Sequence, residues 1–315
     1  MPVIPIRRTD SPDGPRQAGR RAIALLLLAL AGAWLVLHRP DGVGSFAENP
    51  FDAPGRLPGA RSPSSPLDAI HCAERLPGQA REVAVVDFKG GIGGALDSDA
   101  VFGLMNRIAG NRAIGGIALR IDSTGGNSYV AKKLHEILLR TKLQCRLPMA
   151  AFIGNAGTSG GYWMSLAADE IHADTLSTVG AVGVIAIYTN ESEKQAREGI
   201  RHSVIRTGER KWPMNPYLPV ASDDEQKIRE SLEIVLAEFL AAVVNSRGTR
   251  LQLARDELAT GEAWMGIDAE RLGLTDGAGD LGSVFSRLLG GTPTAYRQFD
   301  LAKAAATEKA TPEAK

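Results

Sequence analysis

The chain has 315 residues, and its 36 basic and 36 acidic side chains give a formal net charge of zero at pH 7. Nucleic-acid binding draws on a strong excess of positive charge, so this balance gives no reason to expect a nucleic-acid partner. Hydrophobic residues make up 44% of the chain, which is ample for one domain of about 200 residues or more with appended segments. The low aromatic content of 5% and the 35 glycines favour a tightly turned α/β protein over a β sandwich.

The N-terminal part carries a membrane-targeting signal. An uncharged, leucine-rich run occupies residues 22–37, directly after Arg20 and Arg21. Arginines before an apolar run keep the N-terminus in the cytoplasm and send the following chain across the membrane. The run is shorter than the roughly 20 residues of a typical span, and Ala29–Ala31 resembles a cleavage site, so a cleaved signal peptide stays open. We favour a retained signal anchor at 22–37, with residues 1–21 as a short disordered cytoplasmic tail.

Low-complexity segments flank the central part of the chain. Repeated prolines with Gly, Ser and Asp make residues 38–80 a linker between the membrane and the folded domain. Residues 291–315 are polar and rich in Ala, Lys, Glu and Thr, and we expect a disordered tail there. Cys72 and Cys145 would lie in an oxidising compartment, where a disulfide and two free buried thiols both stay open. Neither has a His or Cys at metal-ligand spacing, so we predict no zinc site and no cofactor.

Between these appendages, residues 81–290 are predicted to form one domain. Short apolar runs of strand length alternate there with segments of helical periodicity. Strands are predicted at 83–88, 116–121, 148–153, 170–173, 182–187, 202–206 and 263–265, and helices at 101–109, 128–142, 163–168, 191–198, 222–247, 268–272 and 281–289. Continuous apolar strands that alternate with amphipathic helices indicate a parallel sheet covered by helices on both faces.

The longest predicted helix begins at Ser222. Glu225 follows three residues later, as in a capping box. One wide apolar face of this helix consists of Ile228, Leu232, Val235, Leu236, Phe239, Leu240 and Val243. Such a face needs a partner, and the sequence leaves open whether that partner is the domain's own sheet or another subunit.

A glycine-rich turn, Gly154–Tyr162, lies between an apolar strand and an apolar helix. Its central Ser159 is flanked by Gly157 on one side and by Gly160 and Gly161 on the other, which clears space around the hydroxyl. The arrangement resembles a nucleophile elbow without matching the G-x-S-x-G form. An exposed nucleophile and an ordinary Gly/Ser turn are both compatible with this segment alone.

A serine nucleophile needs a base that accepts its proton. None of the five histidines lies in a glycine-rich turn or beside an aspartate that would orient it, which leaves a Ser-His-Asp triad unsupported. His135, for example, falls mid-helix among charged residues, where a solvated face is the expected environment. The alternative base is a lysine that desolvation makes neutral, which takes about 4 to 5 kcal/mol for a shift from the ordinary pKa to about 7. Lys211 lies beside Trp212 and Pro213, although an ordinary surface lysine explains the same pattern.

The segment Asp122–Asn127 is a candidate for the oxyanion hole, the set of donors that stabilises the negative charge developing on the substrate carbonyl oxygen. It contains two consecutive glycines between a predicted strand and a predicted helix, and backbone N–H groups in such a turn bind an oxyanion well. The corresponding edge of a parallel sheet is where ligand sites collect. An ordinary turn and a phosphate-binding loop are the alternatives, but the segment lacks the G-x-G-x-x-G and G-K-[ST] patterns.

Taken together, five motifs resemble the signal peptide peptidase A family, whose members are membrane-anchored serine proteases with a Ser/Lys dyad on a ClpP/crotonase-like fold. The motifs are, in chain order, I-D-S-T-G-G-N, A-G-T-S-G-G-Y-W, V-G-A-V-G-V-I, T-G-E-R-K-W-P and G-E-A-W-M-G-I-D-A-E-R-L-G-L-T-D. The resemblance covers residues 82–289. It implies Ser159 as nucleophile, Lys211 as general base, and the backbone N–H groups of Gly126 and Gly160 as the oxyanion hole.

The resemblance also implies extended peptide substrates and a homo-oligomeric ring, and it leaves open whether the serine and lysine of one site come from the same subunit or from neighbouring subunits. Two positions depart from the family pattern. Thr124 replaces a proline, and Ala181 replaces a serine that orients the lysine in many members. Ser177 and Thr178 are the candidates to take over that orienting role.

The sequence therefore predicts a serine endopeptidase anchored by one span in a bacterial inner membrane, with its catalytic domain on the extracytoplasmic side. The expected substrates are remnant signal peptides or unfolded segments. A crotonase-like acyl-transfer enzyme and a catalytically inert membrane scaffold are the alternative interpretations.

Overall fold

The computed structural model describes residues 70–75, 80–94, 96–299 and 301. The predicted cytoplasmic tail, the signal anchor at 22–37 and most of the linker at 38–80 lie outside the described residues. Among the helices of the described part, none is long and apolar enough to cross a membrane.

The described residues form a seven-stranded sheet with helices packed against it. The strands are β1 Glu82–Lys89, β2 Ile114–Ser123, β3 Met149–Thr158, β4 Glu170–Ala173, β5 Thr178–Gly180, β6 Ala263–Met265 and β7 Ala295–Phe299. The helices are α1 Ser98–Ala109, α2 Ser128–Cys145, α3 Gly160–Ser165, α4 Ser192–Arg197, α5 Ser222–Arg247, α6 Arg255–Leu258, α7 Gly266–Arg271 and α8 Leu281–Leu288, with a 3₁₀ turn at Gly248–Arg250.

The sheet has the order β6-β5-β3-β2-β1-β7, and β4 pairs with β3 beside β5. All pairings are parallel except the antiparallel pairing of β5 with β6. The central strands are buried on both faces, because a large apolar cluster includes residues of α1, α2, α3 and α5, and a smaller one includes Phe285 of α8. The prediction of an α/β fold with a mostly parallel sheet and helices on both faces is confirmed.

Helix α5 is apolar along one face, as predicted, but only its C-terminal half is buried in the domain. Phe239, Leu240 and Val243 are at most 5% exposed, whereas the earlier residues of the face, Ile228, Leu232, Val235 and Leu236, are half-buried. The predicted capping box is wrong: Ala221 is the N-cap residue, and it makes no side-chain cap. The Glu225 carboxylate instead accepts a hydrogen bond of 2.9 Å from the Tyr188 hydroxyl.

The stretch from residue 181 to 221, called the lysine segment below, contains α4 and otherwise only loops and turns. The strands predicted at 182–187 and 202–206 are therefore wrong. Val182 is buried in the core, but Ile187 is 83% exposed and Ile205 is 97% exposed. Alternation of apolar residues gives a strand only where a neighbouring strand satisfies its backbone.

The prediction of a disordered tail from residue 291 is wrong for residues 295–299. These residues form β7 because β1 offers a free edge, with which they pair in parallel. Side chains reinforce the pairing: Arg297 forms an ion pair of 2.6 Å with Glu82, and Gln298 donates a hydrogen bond of 2.9 Å to Asp87.

Cys72 and Cys145 form a disulfide with a Cα–Cα distance of 5.1 Å. Of the two possibilities that the sequence leaves open, a disulfide and two free thiols, the structure therefore has the disulfide. The bond ties the segment before β1 to the last residue of α2. Arg75 holds the same segment, because its guanidinium donates hydrogen bonds to the carbonyls of Ile114, at 2.8 Å, and Ala109, at 2.6 Å. Covalent and polar contacts thus fix residues 70–75 to the domain.

Candidate active site

Ser159 occupies a sharp turn between β3 and α3, in the strand–turn–helix context that the sequence predicts. Its φ of 50° and ψ of −124° are strained for a residue with a side chain, at a cost of about 1 to 3 kcal/mol. Two hydrogen bonds hold this conformation: the Ser159 N–H donates to the Gly180 carbonyl at 2.7 Å, and the Trp163 N–H donates to the Ser159 carbonyl at 2.9 Å. The side chain is left half-buried, with its hydroxyl at the edge of the sheet.

The glycine loop after β2 packs directly against this turn. A Cβ atom at Gly125 would lie 2.9 Å from the Gly160 nitrogen and 2.9 Å from the Ser159 Cβ, so the two backbones approach more closely than any other residue allows. A Cβ atom at Gly126 would lie 2.2 Å from the Ile92 carbonyl oxygen. The loop and the Ser159 turn form one unit, called the serine corner below (residues 123–126 and 158–163).

The serine corner presents two unused backbone donors. The residues on either side of Gly126 bond to Ile92: the Ile92 N–H donates to the Gly125 carbonyl at 2.9 Å, and the Asn127 N–H donates to the Ile92 carbonyl at 2.9 Å. The N–H groups of Gly126 and Gly160 donate to no acceptor within the described residues. Two free backbone N–H groups close to a serine hydroxyl are what an oxyanion hole requires.

Ser159, Gly126 and Gly160 line one cavity of about 600 Å³. Its walls are mainly apolar and include Trp163 of α3 and Phe239 of α5, whose rings stack with centroids 4.6 Å apart. Of the described residues, those that line this cavity include no acidic, basic or histidine side chain. The structure thus brings together three of the four predicted site residues and leaves the cavity of this chain without a base.

Lys211, the fourth predicted residue, is exposed and lines a separate cavity of about 630 Å³ together with Trp212 and Tyr217. Its backbone is held within the lysine segment: its N–H donates to the Gly208 carbonyl at 3.1 Å, and its carbonyl accepts from Arg206 at 3.1 Å. The single chain does not place Lys211 in the Ser159 cavity.

The histidines described by the structure do not take the place of a base either, since none lines the Ser159 cavity. His172 is buried and lies 2.9 Å from Glu170, and His202 stacks on Tyr217 with ring centroids 4.2 Å apart. The expectation of a solvated face for His135 is wrong, because its Nδ1 atom is buried, and this burial lowers its pKa to about 4. A Ser-His-Asp triad is not assembled in the described part of the chain.

Neither candidate for orienting a lysine contacts Lys211. The Ser177 hydroxyl is buried and donates to the carbonyls of Ile153 and Gly154, which commits it to the domain interior. Thr178 is exposed on β5. Ala181, at the family's serine position, has a φ of 52° and lines the Ser159 cavity.

The apolar spacing places Leu236 and Phe239 on the buried face of α5, but it does not connect them with the site. Both line the Ser159 cavity. The spacing of apolar residues indicates which helix face is buried, but it does not indicate what that face covers.

Residues 141–290 match the model of Peptidase family S49, a range that includes Ser159, Gly160 and Lys211. A protein of Brucella abortus named Na(+)/H(+) antiporter NhaA is 27% identical over 188 residues, which are 60% of this chain and 25% of that protein. A putative signal peptide peptidase SppA of Enterococcus faecium is 26% identical over 175 residues, 56% of this chain and 50% of the relative. Protease 4 of Haemophilus influenzae is 24% identical over 213 residues, 65% of this chain and 34% of that protein. The chain thus matches half or less of the length of these relatives.

Proposed function

Since this chain belongs to the signal peptide peptidase A family, as the sequence motifs predict, we propose that it is a serine endopeptidase with Ser159 as its nucleophile. The observation that carries the proposal is the serine corner. A strained, half-buried serine faces an apolar cavity, and two backbone N–H groups without acceptors lie beside it. This arrangement fits acyl transfer at a peptide carbonyl.

In the proposed mechanism, the Ser159 Oγ attacks the carbonyl carbon of the scissile peptide bond. The carbonyl oxygen becomes an oxyanion that accepts hydrogen bonds from the N–H groups of Gly126 and Gly160. A neutral lysine amine takes the serine proton and passes it to the leaving amine as the peptide bond breaks. Water then attacks the acyl-enzyme with the same amine as base, which releases the acid product and regenerates the serine.

We assign the base to Lys211 of a second copy of the chain in a homo-oligomeric ring. Two observations support this assignment. The Ser159 cavity contains no titratable side chain among the described residues, so the site is incomplete without a contribution from outside it. Lys211 is exposed on a segment whose Ile187 and Ile205 are more than 80% exposed, and such apolar surface is typical of an interface. Burial between subunits is also what favours the neutral form of a lysine.

The chemistry of the cavity indicates the substrate class. Its described lining carries no charge and includes Trp163, Val184, Leu236 and Phe239. A charged substrate side chain would lose its hydration there without gaining a partner, so apolar side chains are favoured. Remnant signal peptides and unfolded apolar segments are the substrates that fit these conditions.

We place the catalytic domain on the extracytoplasmic side of a bacterial inner membrane. The arginine-flanked apolar run at 22–37 supports a single-pass anchor. The disulfide between Cys72 and Cys145 supports an oxidising compartment, because disulfides persist in the periplasm and outside the cell and are rare in the cytosol.

Replacement of the nucleophile tests the proposal. Ser159→Ala should abolish cleavage of a fluorogenic apolar peptide and labelling by a fluorophosphonate probe, a loss of about 10⁶-fold in kcat by analogy with other serine proteases. Ser231→Ala is the matched control, because this serine is exposed on α5 and donates only to the Lys227 carbonyl of its own helix. Undiminished cleavage by Ser159→Ala would reject the assignment. A folded wild-type oligomer that neither cleaves nor is labelled would favour the inert scaffold.

A further inference from the structure

Ser123 is the last residue of β2, and its side chain is buried where the glycine loop begins. Its hydroxyl donates a hydrogen bond of 2.7 Å to the Gly90 carbonyl, in the loop that follows β1. The same oxygen accepts a hydrogen bond of 3.2 Å from the Gly125 N–H, two residues further along the chain. One hydroxyl thus joins the end of β2, the loop after β1 and the glycine loop.

This hydroxyl engages one amide of the glycine pair and leaves the other free. The Gly125 N–H is bound to Ser123, and Gly125 is buried. The Gly126 N–H donates to no acceptor within the described residues, and Gly126 is exposed and lines the Ser159 cavity. Of the two consecutive amides, the one that Ser123 does not bind is therefore the one left for the proposed oxyanion hole.

Backbone contacts hold the glycine loop in the same place. The Ile92 backbone bonds at 2.9 Å to each of the residues that flank Gly126. The Ser123 carbonyl packs against α3, because a Cβ atom at Gly161 would come within 2.4 Å of its oxygen. Position 124 adds no rigidity of its own, since threonine lacks the ring by which proline fixes φ, and Thr124 is exposed. The conformation of the loop therefore depends on its contacts, and Ser123 supplies one of them from its side chain.

We propose that Ser123 is a positioning residue for the oxyanion hole: its hydroxyl binds the Gly125 N–H and so directs the Gly126 N–H toward the oxygen that becomes charged. The inference rests on the proposed function of Ser159 and adds to it a residue that touches neither the substrate nor the reacting atoms. Outright removal of one oxyanion donor lowers kcat about 10²- to 10³-fold in a serine protease. Displacement of such a donor should have a smaller effect.

Ser123→Ala tests the role of the hydroxyl, because it removes both hydrogen bonds and adds no bulk. We expect kcat for the fluorogenic peptide to fall about tenfold with KM nearly unchanged, because the oxyanion exists only in the transition state and the tetrahedral intermediate. A peptide boronic acid forms a tetrahedral adduct with the nucleophile. Its inhibition constant should therefore rise by a similar factor.

The matched control is Thr141→Val. The Thr141 hydroxyl is also buried and donates to a backbone carbonyl, that of Ile137 at 2.8 Å, but it lies near the end of α2 that is far from the glycine loop. Valine keeps the size of this side chain and removes its hydroxyl. The control should lose stability in a thermal melt, as Ser123→Ala does, and keep the wild-type kcat and the wild-type inhibition constant.

Hydrogen exchange resolved to single residues tests the same contact in the wild-type protein. The Gly125 amide should exchange slowly in the free protein, whereas the Gly126 amide should exchange fast and become slow only when the boronic acid is bound. Ser123→Ala should speed up the exchange at Gly125. A Gly125 amide that exchanges as fast as that of Gly126 in the free wild-type protein overturns the inference, even if no variant at position 123 folds.

The variants are compared at equal folded fraction, measured by thermal unfolding. The inference is also overturned if folded Ser123→Ala keeps the wild-type kcat, if its loss of activity is a higher KM alone, or if Thr141→Val loses kcat to the same extent. Failure of the proposed function is a separate result. The wild-type protein would then react neither with the fluorophosphonate probe nor with the boronic acid, while exchange at Gly125 would still be slow.

Discussion

The serine corner and the lysine segment belong to the same chain but are built in opposite ways. In the serine corner, Gly160, Gly161 and Trp163 are buried, and backbone hydrogen bonds and close glycine contacts hold the loop against the Ser159 turn. In the lysine segment most residues are exposed, and α4 is its only helix within the described residues. The domain's own core thus determines the position of Ser159, the proposed nucleophile, whereas the Lys211 side chain stays exposed.

The difference shows that, in the proposed Ser/Lys dyad, the serine depends on the fold of one chain whereas the lysine depends on the assembly of several chains. An oxyanion hole requires preorganised donors, so a rigid core is the suitable place for it. A lysine base requires desolvation, and an exposed apolar segment provides it only when another surface covers that segment. Under the proposed function, the enzyme is therefore active only when the chains are assembled.

The largest expected effect comes from removing the proposed serine and the proposed lysine in separate variants and then mixing the two variants. Ser159→Ala and Lys211→Ala should each be inactive alone, because each removes one half of the dyad. An equal mixture, dissociated and reassembled, should recover about a quarter of the wild-type peptidase activity, since a site with an intact serine can then meet an intact lysine of its neighbour. A mixed oligomer that forms but stays inactive would contradict the sharing of sites between subunits.

A smaller effect is expected from crowding the serine corner. Gly126 has a φ of 148° and no room for a Cβ beside Ile92. Gly126→Ala should therefore displace the loop and lower kcat about 10²-fold. The control, Gly199→Ala in the lysine segment, also has a positive φ, of 75°, but has nothing within 4 Å of the added carbon. It should lose about 1 kcal/mol of stability in a thermal melt and keep its kcat.

The smallest effect concerns the exposed surface of the lysine segment. Ile205 is 97% exposed, so Ile205→Ser should change the unfolding free energy of the chain by no more than about 0.5 kcal/mol. It should nevertheless weaken the oligomer and lower activity at low protein concentration, as measured by sedimentation velocity and peptide turnover. Leu143→Ser is the comparison, because Leu143 is 65% exposed on α2, outside this segment. Equal effects of the two substitutions on assembly would argue against an interface at the lysine segment.

Most of the regular elements could be predicted from the sequence, because their causes are local. The runs at 170–173 and 263–265 are strands with the predicted bounds, and the helix at 222–247 follows from its apolar periodicity. The turn around Ser159 is equally local, since its glycines and flanking apolar runs specify a strand, a turn and a helix.

Other features depend on residues far apart in the chain and could not be predicted. Residues 182–187 and 202–206 have apolar patterns typical of strands, but none of the strands that the structure describes pairs with them. His135 has charged sequence neighbours, yet its Nδ1 atom is buried. The disulfide joins cysteines 73 positions apart, which only the packing of the segment before β1 against α2 brings together.

By itself the sequence determined the class of fold and the family, and it predicted Ser159 as the nucleophile, because apolar periodicity, glycine placement and motif order are properties of short segments. The tertiary structure alone decided that Gly125 and Gly126 lie against the Ser159 turn, that α5 completes the cavity wall, and that Lys211 stays outside that cavity. These relations depend on which surfaces are buried in the core and which stay exposed to solvent. Burial is a property of the whole packed chain and not of a short segment.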